Sequence, residues 1–287
     1  MNTSECNLDT CPKGCGVVPR YRRTCEACET FVGFPNVRYA LREIEDLNRR
    51  YEEAYALAEV QSAEHQLKNL DAALITSKAV VVRKVTDVIH TLSSGSGLWS
   101  TFGKQLRAEV RSAEDNIWDE NRGAVESIIH PNFHEEIRYA GLSLDDFGVT
   151  DPAYGECHLL LKSEFIEDRA SVFEENTFSF MERHKIVAGK GIPKGYRAAW
   201  KDRHKLGVSK LASKITHLTE DAVLNDVLKS GYDKSADFIE VHIFGSINSK
   251  TIEKLTVLSD KINKTQIRLL KAHAKKIDMQ LSFVNGI

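Results

Sequence analysis

Apolar positions recur at three- and four-residue intervals through Leu41, Ile44, Leu47, Tyr51, Tyr55 and Ala58, with Arg42, Glu43, Glu45, Arg49, Arg50 and Glu53 between them. That period predicts an amphipathic helix, continuing through Leu67, Leu70 and Leu74. The more apolar stretch Val80 to Leu92 reads as a second helix returning on the first, and Ser93-Ser-Gly-Ser-Gly97 as a flexible breaker. Leu98 to Ile129 is expected to form a further helix carrying Leu106, Val110, Ile117, Trp118, Val125 and Ile129. No catalytic constellation appears in these helices, which read as an arm or bundle with solvated charged faces.

From Ile137 the texture changes to short strands and turns. Tyr154 to Leu161 reads as a strand, Ala170 to Phe180 as a strand or strand pair, Arg197 to Ile215 and His217 to Leu228 as helices. Lys250 to Ile277 reads as a basic helix and Met279 to Val284 as a terminal strand. The stretch Ala236 to Ile247 carries most weight. Ile239, Val241, Ile243 and Phe244 give it strand character, Gly245 and Ser246 supply the exit, and Glu240 sits in its middle. A carboxylate inside such a run must be solvated by a cleft, paired or chemically useful. The plainer alternative is an edge strand whose wet face carries both Glu240 and His242 at period two. The carboxy-terminal half is therefore α+β with a mainly antiparallel sheet.

The chain has 287 residues, 42% hydrophobic and 28% charged, ordinary values for a globular protein. No apolar run approaches the ~20 residues of a membrane span. Met1 to Cys6 has neither basic residues nor an apolar stretch, so a cytoplasmic protein without a membrane partner is expected. The net charge of −2 hides an uneven distribution: Glu114 to Glu175 holds 16 acidic residues against four basic, and Arg183 to Lys214 ten basic residues against Asp202 alone. That basic segment reads either as a phosphate-binding surface or as a solvated helix and loop packed on the acidic part.

Five of the six cysteines lie in the first 28 residues: Cys6, Cys11, Cys15, Cys25 and Cys28. Cys25-Glu-Ala-Cys28 is a two-residue-spaced pair, and Cys11-Pro-Lys-Gly-Cys15-Gly is a longer knuckle with glycine where a tight turn around a metal wants one. Cys11, Cys15, Cys25 and Cys28 meet around Zn²⁺ if Gly16 to Thr24 forms a hairpin, giving a zinc ribbon. Cys6 is then spare or replaces Cys11. The rival reading is a disulfide cluster, disfavoured because nothing indicates export.

Phe238-Ile-Glu240-Val-His-Ile243, preceded by the loop Ser230 to Ser235, resembles the catalytic-glutamate strand and substrate loop of ADP-ribosyltransferases. Ile137-Arg138-Tyr-Ala-Gly-Leu-Ser-Leu-Asp-Asp-Phe-Gly148 is similar to the first strand of the arginine-serine-glutamate class of that family, and the resemblance covers Ile137 to about Ile247. It implies an ADP-ribosyltransferase-like, mainly antiparallel sheet over residues 133–287; outside the resemblance, the preceding residues read as the zinc ribbon (1–34) and a helical arm (35–132), and the whole as α+β. It also implies NAD as substrate. Cleavage of the bond between nicotinamide and ribose puts oxocarbenium charge on the ribose, which a fixed carboxylate stabilises. Glu240 takes that role, Arg138 holds the pyrophosphate by forked hydrogen bonds, and Ser171 or Ser179 orients the glutamate.

One departure matters. Members that modify arginine commonly carry a glutamate two positions before the catalytic one, and here that position is Phe238. An acceptor that brings its own nucleophile is therefore favoured: single-stranded RNA or DNA, met by Tyr232 in the loop Ser230 to Ser235, with a protein acceptor as the other choice. Tyr196 and Trp200, interleaved among the cations of Arg183 to Lys214, suit tracking of a single strand and equally suit a core. The family resemblance suggests a toxin or phage-defence effector, with an antitoxin or chaperone as partner. The alternative is a non-enzymatic zinc-ribbon module that binds nucleic acid or protein, with Glu240 structural. Gly189-x-Gly191 lacks the context of a phosphate-binding loop. Pro131 breaks the helix that would align His130, His134 and Glu135 on a metal.

Overall fold

The computed structural model describes residues 8–94, 117–149, 152–187, 191–229 and 237–285. Strands β1 (Leu8–Thr10) and β2 (Val17–Pro19) form a two-stranded antiparallel hairpin. Helices α1 (Pro35–Arg42), α2 (Ile44–Val60) and α3 (Glu64–Ile75) follow, as the helical period predicts. Then come β3 (Lys78–Arg83), α4 (Val85–Ser93), α5 (Ile117–Ile129), β4 (Ile137–Ser143), β5 (Cys157–Leu161) and β6 (Ala170–Phe173). The chain continues through α6 (Thr177–Arg183), β7 (Arg197–Ala199), α7 (Arg203–Leu211), α8 (Leu224–Lys229), β8 (Glu240–Phe244), β9 (Ile252–Leu258), α9 (Lys264–Lys276) and β10 (Gln280–Val284).

One eight-stranded sheet, in the order β10-β9-β5-β3-β4-β8-β6-β7, organises the rest. Every neighbouring pair is antiparallel except β9 and β10, which α9 connects as a parallel pair. The fold is thus α+β with a mainly antiparallel sheet. The Glu240 strand β8 is interior, hydrogen-bonded to β4 on one side and β6 on the other, so the edge-strand alternative falls.

Several boundaries differ from those the sequence suggested. Residues 80–92 do not form one helix: Lys78-Ala-Val-Val-Val-Arg83 is a strand between β4 and β5, so the sheet draws a central strand from the segment assigned to the helical arm. The reason is composition, because consecutive valines fill both faces of a buried strand. Val80 and Val82 pack on one face, Ala79 and Val81 on the other. Residues 170–180 are a strand followed by α6; the expected basic helix 250–277 is β9 followed by α9, and the residues after Arg197 begin with strand β7. Much of the expected helix Leu98 to Ile129 lies outside the described residues.

The larger core lies on one face of the sheet. Leu47, Leu67, Leu70 and Leu74 of α2 and α3 are fully buried there with Val172, Val241, Ile243 and Leu206. Each such leucine contributes about 1.5–3 kcal/mol by leaving water. Four cations of the basic segment are ion-paired. Arg183 meets Glu174 and Glu175, Arg197 meets Glu43, Lys205 meets Asp202, and Lys210 meets Asp237. Trp200 is buried, and Tyr196 packs on Phe180, His184 and the Arg50 guanidinium. The packed reading of Tyr196 and Trp200 therefore holds. Among the described residues no helix is long and apolar enough to cross a membrane.

Candidate active site and cysteine cluster

In a strand, alternate residues face opposite sides, and residues directly opposed across a ladder share a side. Gly141 opposes Glu240, Tyr139 opposes His242, Ser171 opposes His242 and Phe173 opposes Glu240. Glu240, His242, Tyr139, Ser171 and Phe173 therefore share one face. Arg138 opposes Ile243, which puts it on the other. This corrects the expected pairing of Arg138 with Glu240 around one pyrophosphate. Arg138 is 7% exposed, donates from Nη1 to the Glu136 carbonyl at 2.9 Å, and lies beside the Arg169 guanidinium. Burial holds its pKa below the usual arginine value.

Glu240 is buried at the start of β8, where two groups donate to it and a ring nitrogen lies within hydrogen-bond reach. Asn176 Nδ2 lies 3.3 Å from Oε1, the Thr177 amide 3.2 Å from Oε2, and His242 Nε2 3.0 Å from Oε2. Asn176 is also the N-cap of α6, its side-chain oxygen accepting from the Phe178 amide at 3.0 Å. That bond fixes the amide orientation and turns Nδ2 toward the glutamate. Opposite Glu240, a Cβ on Gly141 would stand 2.8 Å from Val149 Cγ2, so the absence of a side chain lets the Val149 segment lie against the sheet.

The second ring nitrogen of His242, Nδ1, lies 2.9 Å from Nε2 of His130, the residue that follows α5. Phe173 stacks on the His242 ring, Tyr139 meets it edge-on, and Phe133 packs against His130. Burial, with His242 and Arg197 nearby, keeps His130 well below the usual histidine pKa, hence neutral. Burial likewise raises the Tyr139 hydroxyl, with Glu126 and Glu240 adding to it. The Glu126 carboxyl is raised by burial despite its ion pair with Arg122, whose Nε lies 2.8 Å from Oε1. Arg122, with a third of its side chain exposed (34%), also feels the Glu240 charge. Among the described residues this face holds carboxylates, imidazoles, the buried Arg197 and the partly exposed Arg122 and Arg183 over an aromatic floor.

The other expected site residues spread out. Ser171 is buried on the Glu240 face, but its Oγ accepts from Asn36 Nδ2 at 3.2 Å. Ser179 lies on α6, and Tyr232 lies outside the described residues. His242 was visible at period two from Glu240, whereas His130, Asn176 and Thr177 had no local signal. Two surface clefts, one lined by Asn69, Leu144 and Asn225 and one by Val37, Glu167 and Trp200, lie away from Glu240.

The four expected metal ligands do meet. Cys15 Sγ lies 3.3 Å from that of Cys11, 3.4 Å from Cys25 and 3.2 Å from Cys28, and Cys11 lies 3.6 Å from Cys28. All four are free thiols within 4.8 Å of one another. Bonds of about 2.3 Å to a tetrahedral Zn²⁺ would set sulfurs about 3.8 Å apart, so the donor set fits that ion. Gly14 and Gly16, at φ +71° and +146°, close the Cys11 knuckle, where the Gly14 amide donates to the Cys11 carbonyl at 2.8 Å. Cys6 lies outside the described residues.

The cysteine hairpin is tied to the sheet. Asp9 accepts from Arg20 at 3.3 Å, Arg38 at 2.8 Å and Arg42 at 2.6 Å, the last two on α1. Burial alone would raise the Asp9 pKa, but the Arg38 and Arg20 guanidiniums outweigh it and hold it low. One turn earlier on α1, Asn36 Nδ2 lies 2.9 Å from the His242 carbonyl and 3.0 Å from that of Arg169.

No protein-family model matches the chain, and no curated protein matches it. Among solved structures, the chain is similar to Thermus sp. 2.9 DarT in complex with NAD+, at 9% identity and a TM-score of 0.40, covering 72% of this chain and 94% of that one. The same protein in complex with ADP-ribosylated ssDNA gives 9% identity, a TM-score of 0.39, and coverage of 72% and 93%. A likeness of this degree leaves the chemistry to be argued from the residues themselves.

Proposed function

We propose that this chain transfers ADP-ribose from NAD to an acceptor nucleophile, with Glu240 as the catalytic carboxylate. The observation that carries this reading is the grip on Glu240: a carboxylate on an interior strand, held by Asn176, the Thr177 amide and His242. Such a carboxylate is preorganised to face the positive charge that develops on the ribose. In the reaction the glycosidic C–N bond breaks, nicotinamide leaves with its electron pair, the acceptor bonds the anomeric carbon, and the acceptor's proton goes to the carboxylate.

Arg122 replaces Arg138 in the pyrophosphate-holding role, because it is a partly exposed cation on the Glu240 side that feels the Glu240 charge. Tyr232 and its loop meet the acceptor. A nucleic-acid acceptor is preferred, since Phe238 is packed with Val80, Val149 and Leu160 where arginine-modifying members carry a carboxylate. The toxin or defence role, an antitoxin or chaperone partner and a cytoplasmic setting belong to the same reading. Cys11, Cys15, Cys25 and Cys28 hold zinc, which fixes the amino-terminal hairpin that Asp9 ties to α1.

A second reading is favoured by one observation: both Glu240 oxygens already accept bonds, and the side chain is 7% exposed. In it Glu240 is a structural buried acceptor and the zinc hairpin binds a partner. The two readings separate when the zinc-loaded chain is incubated with labelled NAD and single-stranded DNA, RNA or protein. Label transfer, or nicotinamide release, that is lost in Glu240→Gln supports the enzyme. Neither event from folded wild-type protein supports the binding module.

A further inference from the structure

Glu240, His242 and His130 form an unbranched chain of buried hydrogen-bonding groups, exposed by 5%, 1% and 2%. Its far end, Nδ1 of His130, is buried and has no hydrogen-bond partner. The order of donors along such a chain is constrained at both ends. At the near end, Glu240 receives the Thr177 amide and the Asn176 amide group, both obligatory donors there, so the carboxylate acts as acceptor and His242 supplies Nε2–H. A neutral His242 then has a lone pair on Nδ1, and His130 must donate to it from Nε2. At the far end this leaves His130 Nδ1 with a lone pair instead of a proton. That is the less costly atom to leave unpaired, because orphaned buried N–H groups are rarer than under-satisfied acceptors.

We propose that His130 is a positioning residue: its Nε2–H locks His242 in the Nε2–H tautomer, and His242 thereby holds Glu240 in its accepting, ionised state. The opposite arrangement requires a proton on Glu240, Nδ1–H on His242, and an unpaired Nδ1–H on a His130 packed against Phe133 and close to the Arg197 charge. The two arrangements differ by one proton, placed on His130 Nδ1 and passed through two short transfers to Glu240. The charged and titratable groups near this chain are Arg197 and His134 around His130, and Arg122, Glu126 and Tyr139 around Glu240. With hydrogen already on both Nε2 atoms, neither ring can take up a proton that Glu240 receives from an acceptor, so that proton leaves Glu240 on its other side, a consequence that rests on the transferase reading. The tautomer assignment does not.

The test is long-range proton–nitrogen NMR of the ring nitrogens in the ¹⁵N-labelled, zinc-loaded full chain, with His130→Gln and His242→Gln used for assignment. The expected result is a proton on Nε2 and a lone pair on Nδ1 in both rings at neutral pH. His130→Gln, which keeps an N–H donor, should preserve the His242 signature, and His130→Phe should average it. A proton on His242 Nδ1 in the wild type, or unchanged His242 signals in His130→Phe, overturns the proposal. If His130→Phe does not fold, the wild-type and His130→Gln spectra decide. In the turnover assay, His130→Phe should lower kcat roughly tenfold with KM for NAD unchanged, and His130→Gln should restore it. The expected tautomers without NAD turnover in any variant would uphold the role of His130 and discard the transferase reading.

Discussion

Arg138 and Glu240 stand on adjacent, hydrogen-bonded strands and face opposite sides of the sheet. The register that pairs Gly141 with Glu240 also pairs Arg138 with Ile243, and those pairs alternate sides. No side-chain rotation brings a guanidinium through a hydrogen-bonded sheet, so the two cannot hold one dinucleotide between them. Arg138→Gln is therefore expected to cost stability, because the guanidinium is buried and hydrogen-bonded, but to leave NAD turnover of the folded protein within about threefold of wild type. Arg122→Gln should instead raise KM for NAD, and Glu240→Gln should lower kcat by roughly 10² or more. Nicotinamide release measured on the three variants checks the assignment. A large loss in Arg138→Gln alone would place the dinucleotide on the other face.

The cysteine cluster gives a prediction independent of activity. Four thiols in tetrahedral reach should bind one zinc per chain, measured by elemental analysis of purified protein. Chelation, or Cys25→Ser, should loosen the β1–β2 hairpin first and then α1, because Asp9 links the hairpin to Arg38 and Arg42. Hydrogen exchange should rise at the amides of the hairpin and of α1. If exchange rose only within the hairpin, the Asp9 link would be of no mechanical consequence.

Glu43 gives the sign of a pH dependence. Its carboxyl is 10% exposed, and burial raises its pKa above the ordinary 4.5 although Arg197 and the Gly195 amide pull it down. Between 4.5 and that raised value the folded chain binds more protons than the unfolded one, so this group's contribution to stability falls as pH rises. Glu43→Gln should remove that part of the decline. Urea midpoints at several pH values from 4.5 upward give the comparison, and an unchanged slope in the variant would discard the account.

What was legible in the sequence had a local cause. The spacing of Cys11, Cys15, Cys25 and Cys28 pointed to the four thiols that meet, and the β-branched run around Glu240 identified its strand, because each signal is complete within a few residues. Period two showed that His242 shares the face of Glu240. It says nothing of register between strands, which is where the pairing of Arg138 with Glu240 failed. His130 lies 112 residues before His242 and meets it only through the sheet. Strand β3 was hidden because its valines follow directly on a strong helical period, and a short apolar run fits a buried strand or a helix equally well. The basic segment looked available because its partners Glu43, Glu174 and Asp237 lie elsewhere in the sequence.

The approach to the Glu240 strand is held by one buried ion pair, and its removal should be felt in a particular way. Lys210 Nζ donates to Asp237 Oδ1 at 2.6 Å and to the Glu174 carbonyl at 2.8 Å, and both side chains are almost fully enclosed. Burial lowers the Lys210 pKa, and the Asp237 charge offsets part of that. Asp237→Asn takes away the offset and leaves a buried ammonium group with the Glu174 carbonyl and the Glu174 and Glu175 charges as its remaining support. The expected loss is about 3–5 kcal/mol at neutral pH, from breaking one side of a buried pair. Because the folded pKa of Lys210 then falls further below 10.5, the unfolded chain binds more protons in the interval between, and the variant should regain stability as pH rises through it. Replacing both partners, Lys210→Met with Asp237→Leu, should recover most of the loss at neutral pH. Urea denaturation of the three proteins at neutral and alkaline pH tests this, and a double variant no more stable than Asp237→Asn would show that the pair contributes more than its desolvation costs.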